Sequence, residues 1–213
     1  MTILIKALLS LAIILLGACA NKSTTRALDV EGNGYIDLST ARSAVPIGGP
    51  HIEVFFFYTC PHCYNFHHDH LQGWIEQNKA RVTVIQTPVA WRADFRSMAQ
   101  AYYAGEMAHI NPTFHVAVYE ALHQNPKQER SASFFADIAL ACCNTPRAQF
   151  LALYESDAVK NAIESGTLRA DMHRIEGTPT VIVNGRYLVS PSTAKGRDRI
   201  VPLIEELLTK PVR

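Results

Sequence analysis

The sequence predicts an α/β fold whose sheet is interrupted by a long helical insertion. Cys60-Pro61-His62-Cys63 directly follows one apolar stretch, and Gly177-Thr178-Pro179-Thr180 directly precedes another. Cys63 and Pro179 are 116 positions apart, whereas the remainder of one helix, a strand, a second helix and their loops need roughly 40 residues. The excess residues have a helical pattern, so we expect them to form an inserted subdomain.

Four short stretches have the apolar, β-branched or aromatic content of buried strands. They are residues 51–59, Val82–Thr87, Val181–Val183 and Tyr187–Val189. The last two flank Asn184-Gly185, a dipeptide that favours a tight hairpin turn. Ile200–Lys210 has Ile and Leu at helical spacing, which predicts a helix that closes the chain and buries one face.

The remaining periodic segments predict helices. The first runs from Pro61 to Gln77, and a helical pattern dominates from Asp94 to His173. Within that pattern, separate helices are predicted between Pro112 and Asn125, over Ser131–Cys142, from Pro146 onward, and over Ser156–His173. We therefore assign residues 93–171 to the inserted helical subdomain. Residues 35–92 and 172–213 form the two parts of the fold that it separates.

The Cys60-Pro61-His62-Cys63 motif has the chemistry of a thiol–disulfide exchange site. Pro61 fits the first turn of a helix, which places Cys60 at the N-terminus, where free N–H groups and the helix dipole favour a thiolate. His62, if protonated, adds positive charge beside the same sulfur. Cys63 lies one turn further on and is expected to be buried. We therefore predict that Cys60 is the attacked sulfur and Cys63 the resolving one.

A Cys-x-x-Cys motif has two other known uses in proteins. The motif can supply half of a zinc site, but a zinc site needs a second pair of ligands, and the sequence has no second Cys-x-x-Cys. It can also form an inert structural disulfide, which the Pro-His spacer and the later Thr-Pro argue against. We expect neither a metal nor a cofactor.

Two segments resemble the DsbA family of periplasmic thiol–disulfide oxidoreductases. FFFYTCPHCYNF, residues 55–66, is similar to its active site, and EGTPTVIVNGRY, residues 176–187, is similar to its cis-proline segment. The resemblance extends over most of the chain after about Asp37. It implies a thioredoxin-like fold with an inserted helical subdomain.

The resemblance also implies roles and partners. Cys60, Cys63 and His62 take the roles described above, while Thr178 and Pro179 face them and bind substrate. The implied substrates are reduced or unfolded exported proteins, and the implied partner is a DsbB-like membrane protein that reoxidises the pair. Relatives often carry acidic residues where this chain has Val54 and His67, so the resemblance leaves the redox potential open.

The N-terminus predicts export. Lys6 precedes a short apolar run that ends in small residues, the pattern of a signal peptide over residues 1–18. Leu16-Gly17-Ala18-Cys19 resembles a bacterial lipobox, so we expect Cys19 to be lipidated and residues 19–34 to tether a periplasmic protein to the membrane. Ordinary cleavage after Ala20 is the alternative.

The balance of charged residues is almost even. The chain of 213 residues has 20 Lys+Arg and 19 Asp+Glu, and without Lys6 the two numbers are equal. This balance gives no indication of nucleic-acid binding. We expect a monomer.

The sequence allows two interpretations of the other cysteines and of the histidines in the first helix. Cys142 and Cys143 are interpreted as small buried side chains, with a vicinal disulfide as the alternative. His67, His68 and His70 are interpreted as residues of the helix surface, although His67 shares a face with Cys63. Two other functions stay open: a disulfide reductase or isomerase, and a metal-handling or chaperone module that uses the Cys/His cluster.

Overall fold

A five-stranded mixed sheet lies at the centre of the fold. The computed structural model describes residues 32–38 and 48–210; the predicted signal peptide, Cys19 and most of the tether lie outside them. The strand order is β1-β5-β4-β2-β3, with β2 and β3 parallel and the other pairs antiparallel. The strands are β1 (Ile36–Asp37), β2 (His51–Phe56), β3 (Thr83–Pro88), β4 (Thr180–Val183) and β5 (Tyr187–Val189).

The helices follow the predicted order. The first helix consists of α1 (Pro61–Phe66), a π-helical segment (His67–Leu71) and α2 (Gln72–Asn78). The insertion contains α3 (Ala93–Met107), α4 (Thr113–Gln124), α5 (Ala132–Cys143), α6 (Arg147–Tyr154) and α7 (Asp157–Met172). After the hairpin come α8 (Pro191–Ala194) and α9 (Ile200–Leu208). In residues 32–38 and 48–210, no helix has both the length and the apolar character needed to cross a membrane.

Local chemistry explains the C-terminal part of the sheet. Asn184 and Gly185 adopt φ values of 51° and 66°, and the Arg186 N–H donates to the Val183 carbonyl at 3.0 Å. This is the turn geometry that matches the twist of paired strands. The predicted hairpin is therefore confirmed.

Two apolar layers cover the sheet. On one face, Ile52 and Val54 pack with the first helix and with α9, whose Ile and Leu residues are buried as predicted. On the other face, Phe55 packs with Ala170 of α7. Phe56, the last residue of β2, joins the core of the insertion.

A buried ion pair links the sheet to α7. The Arg169 Nε donates to Glu53 Oε1 at 2.7 Å, and the Thr87 hydroxyl donates to the same oxygen at 2.5 Å. Only 7% of the Glu53 side chain is exposed, so its charge depends on these partners.

The end of α5 differs from the favoured interpretation. Cys142 and Cys143 are joined by a disulfide between adjacent residues, so the expectation of two free buried thiols is wrong. Both side chains are only partly buried because the last turn of α5 lies at the edge of the insertion core. The alternative interpretation, a vicinal disulfide, is therefore confirmed.

Candidate active site

Cys60 occupies the position predicted for it, between the end of β2 and the start of α1. It is the N-cap residue of α1, with extended backbone angles, and Pro61 follows in the first turn. The Cys63 N–H donates to the Cys60 sulfur at 3.3 Å. The sulfur therefore accepts one of the N–H groups that a helix N-terminus leaves unpaired.

The pKa values of the two cysteine thiols are shifted in opposite directions. The hydrogen bond from the Cys63 thiol is the largest cause that lowers the pKa of Cys60, to about 6; burial opposes it, and backbone N–H groups add to it. Burial raises the pKa of Cys63 well above its usual value, and the hydrogen bond and charge of Cys60 raise it further. Near neutral pH, Cys60 is therefore a thiolate and Cys63 a thiol.

Thr178 and Pro179 lie directly across from Cys60. The Cys60 sulfur is 3.6 Å from the Thr178 carbonyl oxygen, and the Thr178-Pro179 peptide bond is cis. The turn is fixed by the Thr180 hydroxyl, which donates to the Gly177 carbonyl at 2.7 Å. Residues that are 118 positions apart in the sequence thus meet at one sulfur.

A cavity of about 480 Å³ opens beside this junction. His62 lies at its rim and is exposed, while Thr178 and Pro179 form one wall. Leu188 and Pro191 contribute apolar surface on the side of the hairpin. The cavity can accommodate side chains of a peptide that approaches Cys60.

His67 is buried, so the interpretation of His67 as a residue of the helix surface is wrong. Its side chain is buried against the rings of His115 and Tyr119, with centroid distances of 4.7 Å and 5.3 Å. Burial, and to a lesser extent the charge of His68, lowers the pKa of His67 to about 4. His68 is exposed as expected, and His70 is half-buried.

Sequence reasoning missed the contribution of α4 to this site. His115, Tyr119 and His123 recur every four residues and form one face of α4. That face covers the buried side of the Cys60-to-Cys63 motif, which is why His67 is enclosed. Within residues 32–38 and 48–210, no group of three or more His, Cys, Asp or Glu side chains is arranged to hold a metal ion.

Comparison with known proteins identifies similar chains. A family model described as thioredoxin matches residues 48–202. The thiol:disulfide interchange protein DsbA of Pseudomonas aeruginosa is 31% identical over 182 residues, which is 84% of each chain. DsbA of Pseudomonas syringae is 29% identical over 84% of this chain and 83% of its own.

Solved structures agree with the sequence comparison. The crystal structure of Pseudomonas aeruginosa DsbA matches with a TM-score of 0.75 and 28% identity, covering 84% of this chain and 92% of that one. The oxidoreductase DsbA of Xylella fastidiosa matches with a TM-score of 0.70 and 27% identity, covering 84% and 99%. The similarity includes both the sheet and the helical insertion.

Proposed function

Because the chain belongs to the DsbA family of thiol:disulfide oxidoreductases, we propose that it forms disulfide bonds in exported proteins through Cys60 and Cys63. The protein is a thiol:disulfide oxidoreductase with a thioredoxin-like fold and a helical insertion. The observation that supports this direction of reaction is the difference in acidity between the two thiols. A lowered pKa of Cys60 stabilises the reduced pair, which makes the disulfide a stronger oxidant.

The reaction begins with the oxidised Cys60–Cys63 pair. A substrate thiolate attacks the Cys60 sulfur, and the Cys60–Cys63 bond breaks with its electron pair on Cys63. Cys63 then takes up a proton, because its raised pKa keeps the thiol form. The product of this step is a disulfide between Cys60 and the substrate.

A second substrate thiolate completes the exchange. It attacks the substrate sulfur of the mixed disulfide, and Cys60 leaves as a thiolate, which its lowered pKa favours. The substrate has lost two electrons and the Cys60–Cys63 pair has gained them. We propose that a DsbB-like membrane protein removes these electrons in the next cycle.

Substrate binding is assigned to the segment opposite Cys60. The Thr178 carbonyl already faces the sulfur, and an extended substrate segment can pair with the main chain there as an added strand. Pro179 leaves this edge without an N–H of its own. His62 lies at the rim of the adjacent cavity, close to an incoming peptide.

The N-terminal sequence is the basis for the proposed cellular location. We propose that residues 1–18 are a signal peptide, that Cys19 is lipidated, and that residues 19–34 tether a monomeric periplasmic enzyme to the membrane. The proposed domain division is 35–92, 93–171 and 172–213. A Cys19→Ser variant that remains in the membrane fraction would contradict the lipid anchor.

The exchange mechanism is tested with a reduced peptide that contains two cysteines. The oxidised protein should convert it to the disulfide form, and Cys60→Ser should be inactive. Cys63→Ser has no disulfide and should not oxidise the reduced peptide. When Cys63→Ser is given the disulfide-linked dimer of a single-cysteine peptide, its Cys60 thiolate should attack that disulfide, release one peptide as a thiol and accumulate a mixed disulfide with the other, visible by mass spectrometry. The matched control is the double variant Cys142→Ser/Cys143→Ser, which should keep full activity. Turnover by Cys63→Ser at the wild-type rate would contradict the two-cysteine mechanism. Stoichiometric copper or zinc binding without exchange would instead support the metal-handling alternative.

A further inference from the structure

Tyr58, two residues before Cys60, is held at both ends by α4. Its buried hydroxyl lies 2.8 Å from His115 Nδ1, and its carbonyl oxygen lies 2.8 Å from His123 Nε2. A carbonyl can only accept, so His123 Nε2 carries the proton and donates. Burial raises the pKa of Tyr58 and lowers that of His115, so a neutral hydroxyl and a neutral imidazole share this hydrogen bond.

The same helix contacts the other side of the motif. Tyr64, directly after Cys63, stacks on His123 with a centroid distance of 4.3 Å and an angle of 16°. The Tyr64 hydroxyl also donates to Glu120 at 3.0 Å. The motif is therefore flanked by two tyrosines that α4 holds, and His123 contacts both.

We infer that His123 and His115 are positioning residues that hold the active-site turn through Tyr58 and so set how strongly the Cys60–Cys63 disulfide oxidises its substrates. This inference rests on the proposed function, because it concerns the redox poise of the same pair. The insertion then takes part in the chemistry through Tyr58 and not by a direct contact with a reacting sulfur.

The geometry of the turn explains how the effect reaches the sulfur. The Cys60 N–H donates to the Phe57 carbonyl at 3.1 Å, so residues 57–60 form one compact turn with Tyr58 inside it. The direction of the Cys60 side chain, and its hydrogen bond from the Cys63 N–H, depend on that turn. Loss of the His123 donor frees the Tyr58 carbonyl and loosens the turn. The Cys60 thiolate is then less stabilised, and the disulfide becomes a weaker oxidant.

Two substitutions of His123 separate the hydrogen bond from the ring contact. His123→Phe keeps a ring against Tyr64 but removes the donor to the Tyr58 carbonyl. His123→Gln keeps an N–H donor but removes the ring. Thr113→Ala is the matched control, because Thr113 is exposed in the first turn of α4, ten positions before His123.

The readouts are the equilibrium constant of the Cys60–Cys63 pair with glutathione and the pH dependence of Cys60 alkylation. His123→Phe should weaken oxidation roughly three- to tenfold, which corresponds to a rise of about half to one unit in the pKa of Cys60. His123→Gln and the control should match the wild type. Wild-type values for His123→Phe, or the same shift in His123→Phe and His123→Gln, would overturn the assignment.

A second variant covers the case in which His123→Phe does not fold. Tyr58→Phe keeps the ring in place and removes only the bond to His115, and it should shift both readouts in the same direction. Unchanged readouts in a folded Tyr58→Phe protein would overturn the role of His115. Neither readout requires substrate turnover, so a failure of the proposed function would be seen separately, as a wild-type protein that equilibrates with glutathione but oxidises no peptide.

Discussion

Replacing His67 by leucine should make the protein less sensitive to acid. The buried His67 ring has a pKa of about 4 in the folded protein, against 6.5 as its ordinary value. Between these two pH values the unfolded chain binds a proton at this position and the folded protein does not. The free energy of unfolding therefore falls as the pH drops through this window.

The size of the effect follows from the two pKa values. From about pH 7 to about pH 5, this one histidine should remove roughly 2 kcal/mol from the free energy of unfolding, approaching about 3 kcal/mol at pH 4. Leucine has a similar volume and does not titrate. The Nε2 atom of His67 has no hydrogen-bond partner, so the substitution sacrifices no bond there.

Urea unfolding at a series of pH values measures this difference. The free energy of unfolding of His67→Leu, relative to the wild type, should rise by about 2 kcal/mol between pH 7 and pH 5. Burial, the larger cause of the lowered pKa of His115, is present in both proteins, and only the smaller effect of the His67 charge is lost in His67→Leu. His68→Gln, at an exposed position, is the control and should not reproduce this gain. Parallel pH curves for His67→Leu and the wild type would refute the reasoning.

Two further predictions concern the packing of the insertion. Arg169→Met should lower the free energy of unfolding by about 3–5 kcal/mol, because it leaves the buried Glu53 carboxylate without its charged partner; urea unfolding measures this loss, and adding Glu53→Gln should recover much of it. Gly105→Ala should cost roughly 1–3 kcal/mol, since a Cβ there would lie 2.6 Å from Phe114 Cδ1. Gly73→Ala makes the same change where nothing lies within 4 Å and should not destabilise; equal melting temperatures for the two glycine variants would contradict this account.

Local sequence patterns were sufficient to predict the start of α1, where the two cysteines lie, and the hairpin turn. The turn at Asn184-Gly185 depends on two residues that tolerate positive φ, and the start of α1 depends on Pro61 and an N-cap. Both are short-range effects that the sequence displays directly. Strand β1 and helix α8, with two and four residues, are too short to show any period.

Burial and pairing over long distances were harder to predict. The polar sequence HHDH, residues 67–70, predicts an exposed helix surface. In the structure, His115 of α4, 48 positions further along the chain, packs against His67, and the local sequence gives no indication of that contact. The partner of Glu53 is Arg169, which lies 116 positions away. Both outcomes depend on tertiary packing rather than on local propensity. The disulfide between Cys142 and Cys143 joins adjacent residues, and the helical pattern of α5 does not distinguish it from two free thiols.

The equilibrium of the Cys60–Cys63 pair with a glutathione buffer tests the central claim most directly. It is best measured in the Cys142→Ser/Cys143→Ser protein, so that a second disulfide does not titrate. With the pKa of Cys60 lowered to about 6, against about 7 in thioredoxin, we expect a pair that is more oxidising than thioredoxin by roughly 30 mV or more. A potential near or below about −270 mV, the range of a thioredoxin reductant, would contradict it.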